Sequence, residues 1–458
     1  MGRLCERQRS RITMLALSYT DHGVIVFSDG MTANTELTRR RRRTRDLFTF
    51  MWHLGALPGV IVFASLLLTG RPLWWVADGG WLLAFVYVLF YTVSAYATVY
   101  MRRYPHFSSG KVILFLSAVA CVLAVGIAGI MSAEPANSIP FVLILFACQF
   151  GSLFGWNLLM RRFRHRRYAY IPGGIIGELV ELREASFALV PLSAPQTAAL
   201  PAEFDGVVFD SLHKHSPDWV RFLVSCRLND VPVLQAEEVY EQATGRVSLT
   251  HLSDGILRGF STNGVYSVIK RAFDILSVLV VVPVAVIIMP ALALFVRVES
   301  KGAAFYHQAR IGQGGRPFVL HKYRSMYDGA DGITPPSHST EDKRVTRIGK
   351  MMRGFRLDEL PQFFNILKGE MSLVGPRPEQ VELAREYGRS IPYYSYRHIV
   401  KPGLTGWAQV LYGYSQGTEQ AQRKLEYDLY YVKQMSFWFD VFIVIKTIKT
   451  VVTRFGAR

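Results

Sequence analysis

Apolar positions are unevenly spread along this chain. Four apolar runs stand near 47–69, 79–101, 112–132 and 139–160. Each is close to the ~20 residues a helix needs to cross a bilayer. After Tyr168 the pattern changes. Short apolar runs at Ala169–Ile171, Phe187–Val190, Val207–Phe209 and Val231–Leu234 alternate with helical periodicity in Trp219–Cys226 and Glu237–Ala243. That alternation predicts a small α/β, Rossmann-like domain over 161–255, with 256–269 as a linker. A fifth long apolar run, Ile275 to Val296, follows Lys270-Arg271-Ala272-Phe273-Asp274 and is closed by Arg297. A last apolar stretch, Phe437 to Val452, carries Lys446 and Lys449. It reads as an interfacial amphipathic helix, with a packing helix of the core as the alternative.

The charged residues between the runs orient them. Residues 1–46 form a basic arm with five consecutive arginines, Arg39 to Arg43. Arg102, Arg103 and Lys111 lie between the second and third runs, and Arg161, Arg162, Arg164, Arg166 and Arg167 follow the fourth. The other two loops hold Arg71 with Asp78, and Glu134. The positive-inside rule therefore places both ends of the bundle, 47–160, in the cytoplasm. Within it His53 and Gln149 read as buried hydrogen-bonding groups, since no paired acids accompany them.

The fifth run is long enough to span, but cations flank both of its ends, and Pro283 and Pro290 interrupt it. Each proline removes a backbone donor, so a sharp bend is predicted. A bent, re-entrant helix over 270–297 would keep residues 298–458 on the cytoplasmic side. An ordinary kinked transmembrane helix is the alternative.

Composition narrows the classes. Of 458 residues half are hydrophobic and 19% charged, with a net charge of +17. This fits a membrane protein that lies on anionic lipid or handles phosphates. The basic residues cluster beside apolar spans and no nucleic-acid motif appears, so nucleic acid is not an expected partner. The four cysteines, Cys5, Cys121, Cys148 and Cys226, have no metal-ligand spacing. Pro172-Gly173-Gly174 with Gly177 falls short of a complete dinucleotide fingerprint.

The candidate chemistry lies after residue 298. Arg353 to Gln362 reads RGFRLDELPQ, with Asp358 and Glu359 at a predicted helix start and Gly369 as its stop. An acidic pair at a helix start is ordinarily a cap. Around it, however, stand Phe305 to Gly312 (FYHQARIG), His321 to Met326 (HKYRSM), Lys368 to Pro378 (KGEMSLVGPRP), Lys401 to Val410 (KPGLTGWAQV) and Glu426 to Lys433 (EYDLYYVK). Phosphoryl transfer uses such parts. Arginine offers a planar fork to phosphate oxygens and lysine a point charge. Gly-Pro-Arg-Pro presents Arg377 from a rigid turn. A carboxylate can hold Mg²⁺ or be the nucleophile itself.

In this order the motifs resemble the bacterial polyprenyl-phosphate hexose-1-phosphate transferases, also called initiating sugar transferases, from about Lys270 to Val452. The four spans and the Rossmann-like segment resemble the long subgroup. The resemblance implies a mixed membrane protein. Its parts are a four-helix transmembrane bundle, a small Rossmann-like α/β domain, and an α-rich monotopic catalytic domain with a re-entrant helix. It also implies transfer of hexose-1-phosphate from a UDP-sugar donor to undecaprenyl phosphate, with release of UMP, as the first membrane step of exopolysaccharide, capsule or O-antigen synthesis. Asp358 is implied as nucleophile and Glu359 as the residue that assists Mg²⁺. Lys322, Arg324, Arg353, Pro376, Arg377 and Asp428 are implied as substrate-binding. A homodimer in contact with membrane lipid at the bacterial inner membrane is the matching expectation. The sequence departs from the family in three places. The family's helix-breaking Ser-Pro falls near Val286-Ile287, so Pro283 and Pro290 compete for the bend; Glu370 replaces Asp, and Lys401 replaces Arg. A membrane-anchored scaffold of polysaccharide assembly is the reading from another class.

Overall fold

The structure, a computed structural model, describes residues 80–101, 104–105, 109–131, 135–161, 166–182, 187–195, 200, 204–250, 252, 264–327, 344–413 and 417–452. The basic arm, the first apolar run and His53 lie outside these residues. The chain divides into two compact units, one holding 162–236 and the other holding 56–161 with 237–458.

The first unit is built of strands and helices. Strands β1 (Arg166–Tyr170), β2 (Phe187–Pro191), β3 (Gly206–Phe209) and β4 (Val233–Gln235) form a parallel sheet in the order β2-β1-β3-β4. Ala169, Ile171, Val207, Phe222 and Cys226 share its core. The unit ends earlier than the sequence predicts. Val247, Leu249 and Leu252 belong to the core of the second unit, beside Trp407. The Trp407 indole N–H donates to the Gly245 carbonyl at 2.9 Å. A buried indole needs such a partner, and here it draws this segment into the second unit.

In the second unit α1 (Gly80–Met101), α2 (Ser109–Met131) and α3 (Pro135–Arg161) coincide with three of the predicted runs. Gln149 donates from Nε2 to Ser94 Oγ at 3.2 Å, and Tyr91 shares a hydrogen bond with Ser152 at 3.1 Å. Gln149 is thus buried and hydrogen-bonded through its amide N–H.

The fifth apolar run lies in one helix, Gly264–Glu299, which begins inside the stretch predicted as linker. It is long and apolar enough to cross a membrane by length and composition. The backbone stays helical through Pro283 and Pro290, so neither proline breaks the helix. Each still removes one N–H from the ladder. Lys270, Asp274, Val278, Ala285, Leu292 and Val296 form its buried stripe, at the three- and four-residue spacing of one helical face. Leu276, Val280, Ile287 and Val298 are exposed. The stripe packs on the same folded unit along its length: Val278 and Val282 meet Leu320 and Ile366, while Leu292 and Val296 meet Tyr323 and Met352.

The rest of the unit surrounds that helix. An antiparallel hairpin, Phe305–Ile311 with Pro317–Tyr323, is followed by helices Arg347–Gly354 and Gln362–Lys368. Two short parallel strands, Ser372–Val374 and Gly403–Thr405, pair beyond them. Helices Thr418–Gln434 and Phe437–Val452 close the core. The last helix is a packing helix. Phe439, Asp440, Phe442 and Ile443 are buried, and Tyr104 stacks on Phe439 with ring centroids 4.4 Å apart. Its buried Asp440 explains the departure from the interfacial reading. Oδ2 accepts from Lys270 Nζ and from the Tyr266 hydroxyl, each at 2.6 Å, and Oδ1 accepts from the Tyr431 hydroxyl at 2.8 Å.

Candidate active site

The acidic pair does not cap a helix. Leu357–Glu359 is a single 3₁₀ turn, entered through Arg356 in the left-handed region at φ 56 and left through Pro361, the N-cap of helix Gln362–Lys368. A non-glycine residue at such a φ is uncommon and is held by its surroundings. The turn thus presents two neighbouring carboxylates between two short helices. Gly369, at φ 85, ends the second helix as the sequence predicts.

Three cations converge on Asp358 from separate elements. Lys322 comes from the second hairpin strand, Arg353 from the end of helix Arg347–Gly354, and Arg377 from the turn after Ser372–Val374. Each is placed by its own contacts. Lys322 lies opposite Tyr306 in the hairpin, its ammonium 4.6 Å from that ring's centroid. Arg353 Nε donates to Ser325 Oγ at 2.8 Å. The helix that carries Arg353 is tied to the long apolar helix, because Glu299 accepts from the N–H groups of Arg347 and Ile348 at its start. Arg377 donates to Glu359 Oε1 at 2.8 Å, and Arg356 sits 3.7 Å from Oε2.

These surroundings separate the two acids. Burial and the neighbouring Glu359 push the Asp358 carboxyl up to about 6, against the pull of Lys322, Arg353 and Arg377. For Glu359, burial acts upward, but Arg377 and Arg356 overcome it and hold the group below the usual glutamate value. Burial, with Arg310 next, brings the Lys322 ammonium down to about 8. The site thus holds one firmly ionised carboxylate, one near its titration point, and an excess of positive charge for an anionic ligand.

The turn that carries Arg377 is rigid. The Gly375 N–H donates to the Thr405 carbonyl at 2.8 Å, and the Gly403 N–H to the Pro376 carbonyl at 2.9 Å. A β-carbon on Gly375 would come within 2.4 Å of the Lys401 carbonyl. Only glycine allows the two strands to approach so closely.

Lys322, Arg353, Asp358, Glu359, Pro376 and Arg377 are thus brought together. Two predicted substrate residues are not. Arg324 donates to the Ser300 carbonyl at 2.8 Å and to Ser300 Oγ at 2.9 Å, just past the end of the long apolar helix. Asp428, 1% exposed, is ion-paired with Arg397 at 2.8 Å behind the site. Glu370 accepts from the Asn365 amide at 2.7 Å. Sequence reasoning missed Arg310, which faces Lys322 and donates to the Pro378 carbonyl at 3.0 Å. Its signal was present: in a strand, Tyr306, Gln308 and Arg310 share one face.

A magnesium ion would draw on Glu359, whose Oε1 accepts from Arg377 and whose Oε2 lies 3.7 Å from Arg356. Two adjacent oxygen-only carboxylates match a hard cation that takes its remaining ligands from water and substrate phosphates. Among the described residues no group of three His, Cys, Asp or Glu side chains could hold a metal by itself.

Chains of known sequence are similar to this one. The family model described as bacterial sugar transferase matches residues 265–454. The UDP-N-acetylgalactosamine-undecaprenyl-phosphate N-acetylgalactosaminephosphotransferase of Aeromonas hydrophila is 42% identical over 299 residues, 65% of this chain and 70% of the relative. Two UDP-glucose:undecaprenyl-phosphate glucose-1-phosphate transferases match over a shorter stretch. That of Escherichia coli is 38% identical over 41% of this chain and 40% of its own length. That of Xanthomonas campestris is 42% identical over 35% and 34%. Fold and site define a phosphate-handling enzyme of the transferase class. The chain belongs to the bacterial sugar transferase family, whose relatives here are undecaprenyl-phosphate sugar phosphotransferases.

Proposed function

We propose that this chain transfers a hexose-1-phosphate from a UDP-sugar to undecaprenyl phosphate at the cytoplasmic face of a bacterial inner membrane. The reaction would open the assembly of a surface glycan. The observation that carries the reading is the convergence of Lys322, Arg353 and Arg377 on Asp358, with Glu359 held ionised beside it. The names of the relatives supply the donor and acceptor classes.

In this reading an Asp358 oxygen attacks the phosphorus that bears the sugar. The bond between that phosphorus and the bridging oxygen breaks, and UMP departs with the electron pair. An oxygen of undecaprenyl phosphate then attacks the same phosphorus and expels the Asp358 carboxylate. Lys322, Arg353 and Arg377 neutralise the charge spread over the phosphoryl oxygens. Glu359 would hold Mg²⁺, which would supply charge neutralisation for the diphosphate and its leaving group. Arg377, fixed by its turn, is already oriented, so little entropy is lost at the transition state.

We place the long apolar helix with both ends on the cytoplasmic side. What supports this is that Lys270, near its start, pairs with Asp440 and Val296, near its end, packs with Tyr323 and Met352 on the same folded unit, while Val280 and Ile287 are exposed. Helices Gly80–Met101, Ser109–Met131 and Pro135–Arg161 are read as membrane spans. A homodimer completes the proposal.

The test uses membranes containing the full chain, Mg²⁺, undecaprenyl phosphate and a panel of UDP-glucose, UDP-galactose and their N-acetylated forms. UMP release with at least one donor is expected. Silence with every donor would sink the proposal.

A further inference from the structure

Behind the catalytic turn lies a buried ionic network that the chemistry above does not use. Arg397, in the 3₁₀ segment Tyr394–Ile399, is 3% exposed. It is ion-paired with Asp428 at 2.8 Å, lies 3.7 Å from Glu379, and donates to the Tyr394 hydroxyl at 2.7 Å. Lys424 pairs with Glu379 as well. Two cations thus balance two carboxylates, and such a network can close on itself without reaching the active site. It nevertheless reaches there. Arg397 donates from Nη2 to the backbone carbonyl of Arg377 at 2.8 Å. Arg377 is therefore gripped at both ends, its carbonyl by Arg397 and its guanidinium by Glu359. Pro376 and Pro378 on either side leave the turn few ways to yield.

We infer that Arg397 is a positioning residue for Arg377, held in register by Asp428, Glu379 and the Tyr394 hydroxyl, so that Asp428 serves the reaction through Arg397. Only a planar guanidinium can meet a carboxylate, a phenol and a carbonyl at once. A lysine ammonium keeps the charge and loses the fork. The inference rests on the transfer reaction proposed above.

The experiment is a double-mutant cycle on the full chain in membranes, with the donor that the wild type uses and a radiolabelled product readout. Arg397→Lys is expected to lower kcat about 10- to 100-fold with KM for the UDP-sugar changed less than about threefold, the signature of a displaced catalytic group. In an Arg377→Ala background the same substitution is expected to lower kcat by less than about twofold, because the group it positions is gone. Losses that multiply in the double variant would overturn the inference, since a general structural defect is indifferent to Arg377. If Arg397→Lys does not accumulate, Tyr394→Phe is put through the same cycle. It removes one hydroxyl and leaves all four charges, and the same non-additivity is required. A wild type that is silent with every donor overturns the transfer reading itself, whereas an active wild type with multiplying losses overturns only the role of Arg397.

Discussion

Arg377 meets Glu359 at 2.8 Å, and that contact joins the rigid proline turn to the acidic pair. The pairing requires a fork, because the same guanidinium faces Asp358 as well. Arg377→Lys is expected to lower kcat/KM about 100-fold, in the range for losing one preorganised donor to a developing charge. Steady-state UMP release over a range of donor concentrations checks this.

The pH profile follows from two opposed titrations. In the proposed reaction Asp358 attacks only as the carboxylate. Its raised value means that this form is lost as pH falls through about 6. Lys322 serves only as the ammonium, which is lost as pH rises through about 8. A bell-shaped kcat/KM profile with limbs near those values is expected. In Lys322→Arg the acid limb should stay and the alkaline limb should leave the accessible range.

Metal dependence should follow Glu359. Chelation by EDTA is expected to abolish UMP release and added Mg²⁺ to restore it. In Glu359→Gln the Mg²⁺ concentration for half-maximal activity is expected to rise about tenfold or more, because one anionic ligand is lost.

Backbone packing makes a separate prediction. A β-carbon at Gly403 would come within 2.1 Å of the Gly375 nitrogen. Gly403→Ala must push apart the two strands that frame the Arg377 turn. A loss of about 1–3 kcal/mol is expected, read as a lowered melting temperature of the detergent-solubilised protein together with lost activity.

Much of this was legible in the sequence because it is periodic or motif-bound. The strands of the α/β unit fall on the apolar runs, and three membrane-length runs fall on three helices. Lys322, Arg353, Asp358, Glu359 and Arg377 come from motifs far apart in the chain and lie together in the fold. What escaped depends on side-chain direction. Arg324 stands two residues after Lys322, yet it turns to Ser300 because the strand ends at Tyr323. Asp428 has the charge of a ligand, but helix Thr418–Gln434 buries it against Arg397, and no spacing rule reports that. Pro283 and Pro290 suggested a break that local chemistry favours, while packing of the helix on Leu320 and Tyr323 keeps the backbone helical. The cap expected at Asp358 gave way to a 3₁₀ turn because Arg356 adopts a left-handed conformation, which a sequence does not announce at a non-glycine residue.

The placement of the long helix can be read with a single thiol. In a chain whose native cysteines are replaced, Lys301→Cys is expected to react with a membrane-impermeant maleimide only after the cells are opened. Reaction in intact cells would place the helix across the bilayer.

The most direct test of the account weighs the protein itself. Purified wild type, incubated with the active UDP-sugar and Mg²⁺ without acceptor, is expected to gain the mass of one sugar phosphate. That mass should map to the peptide containing Asp358 and be discharged by undecaprenyl phosphate. Asp358→Asn should show neither adduct nor transfer. An adduct of the same mass retained in Asp358→Asn, or transfer at the wild-type rate in that variant, would contradict Asp358 as the nucleophile.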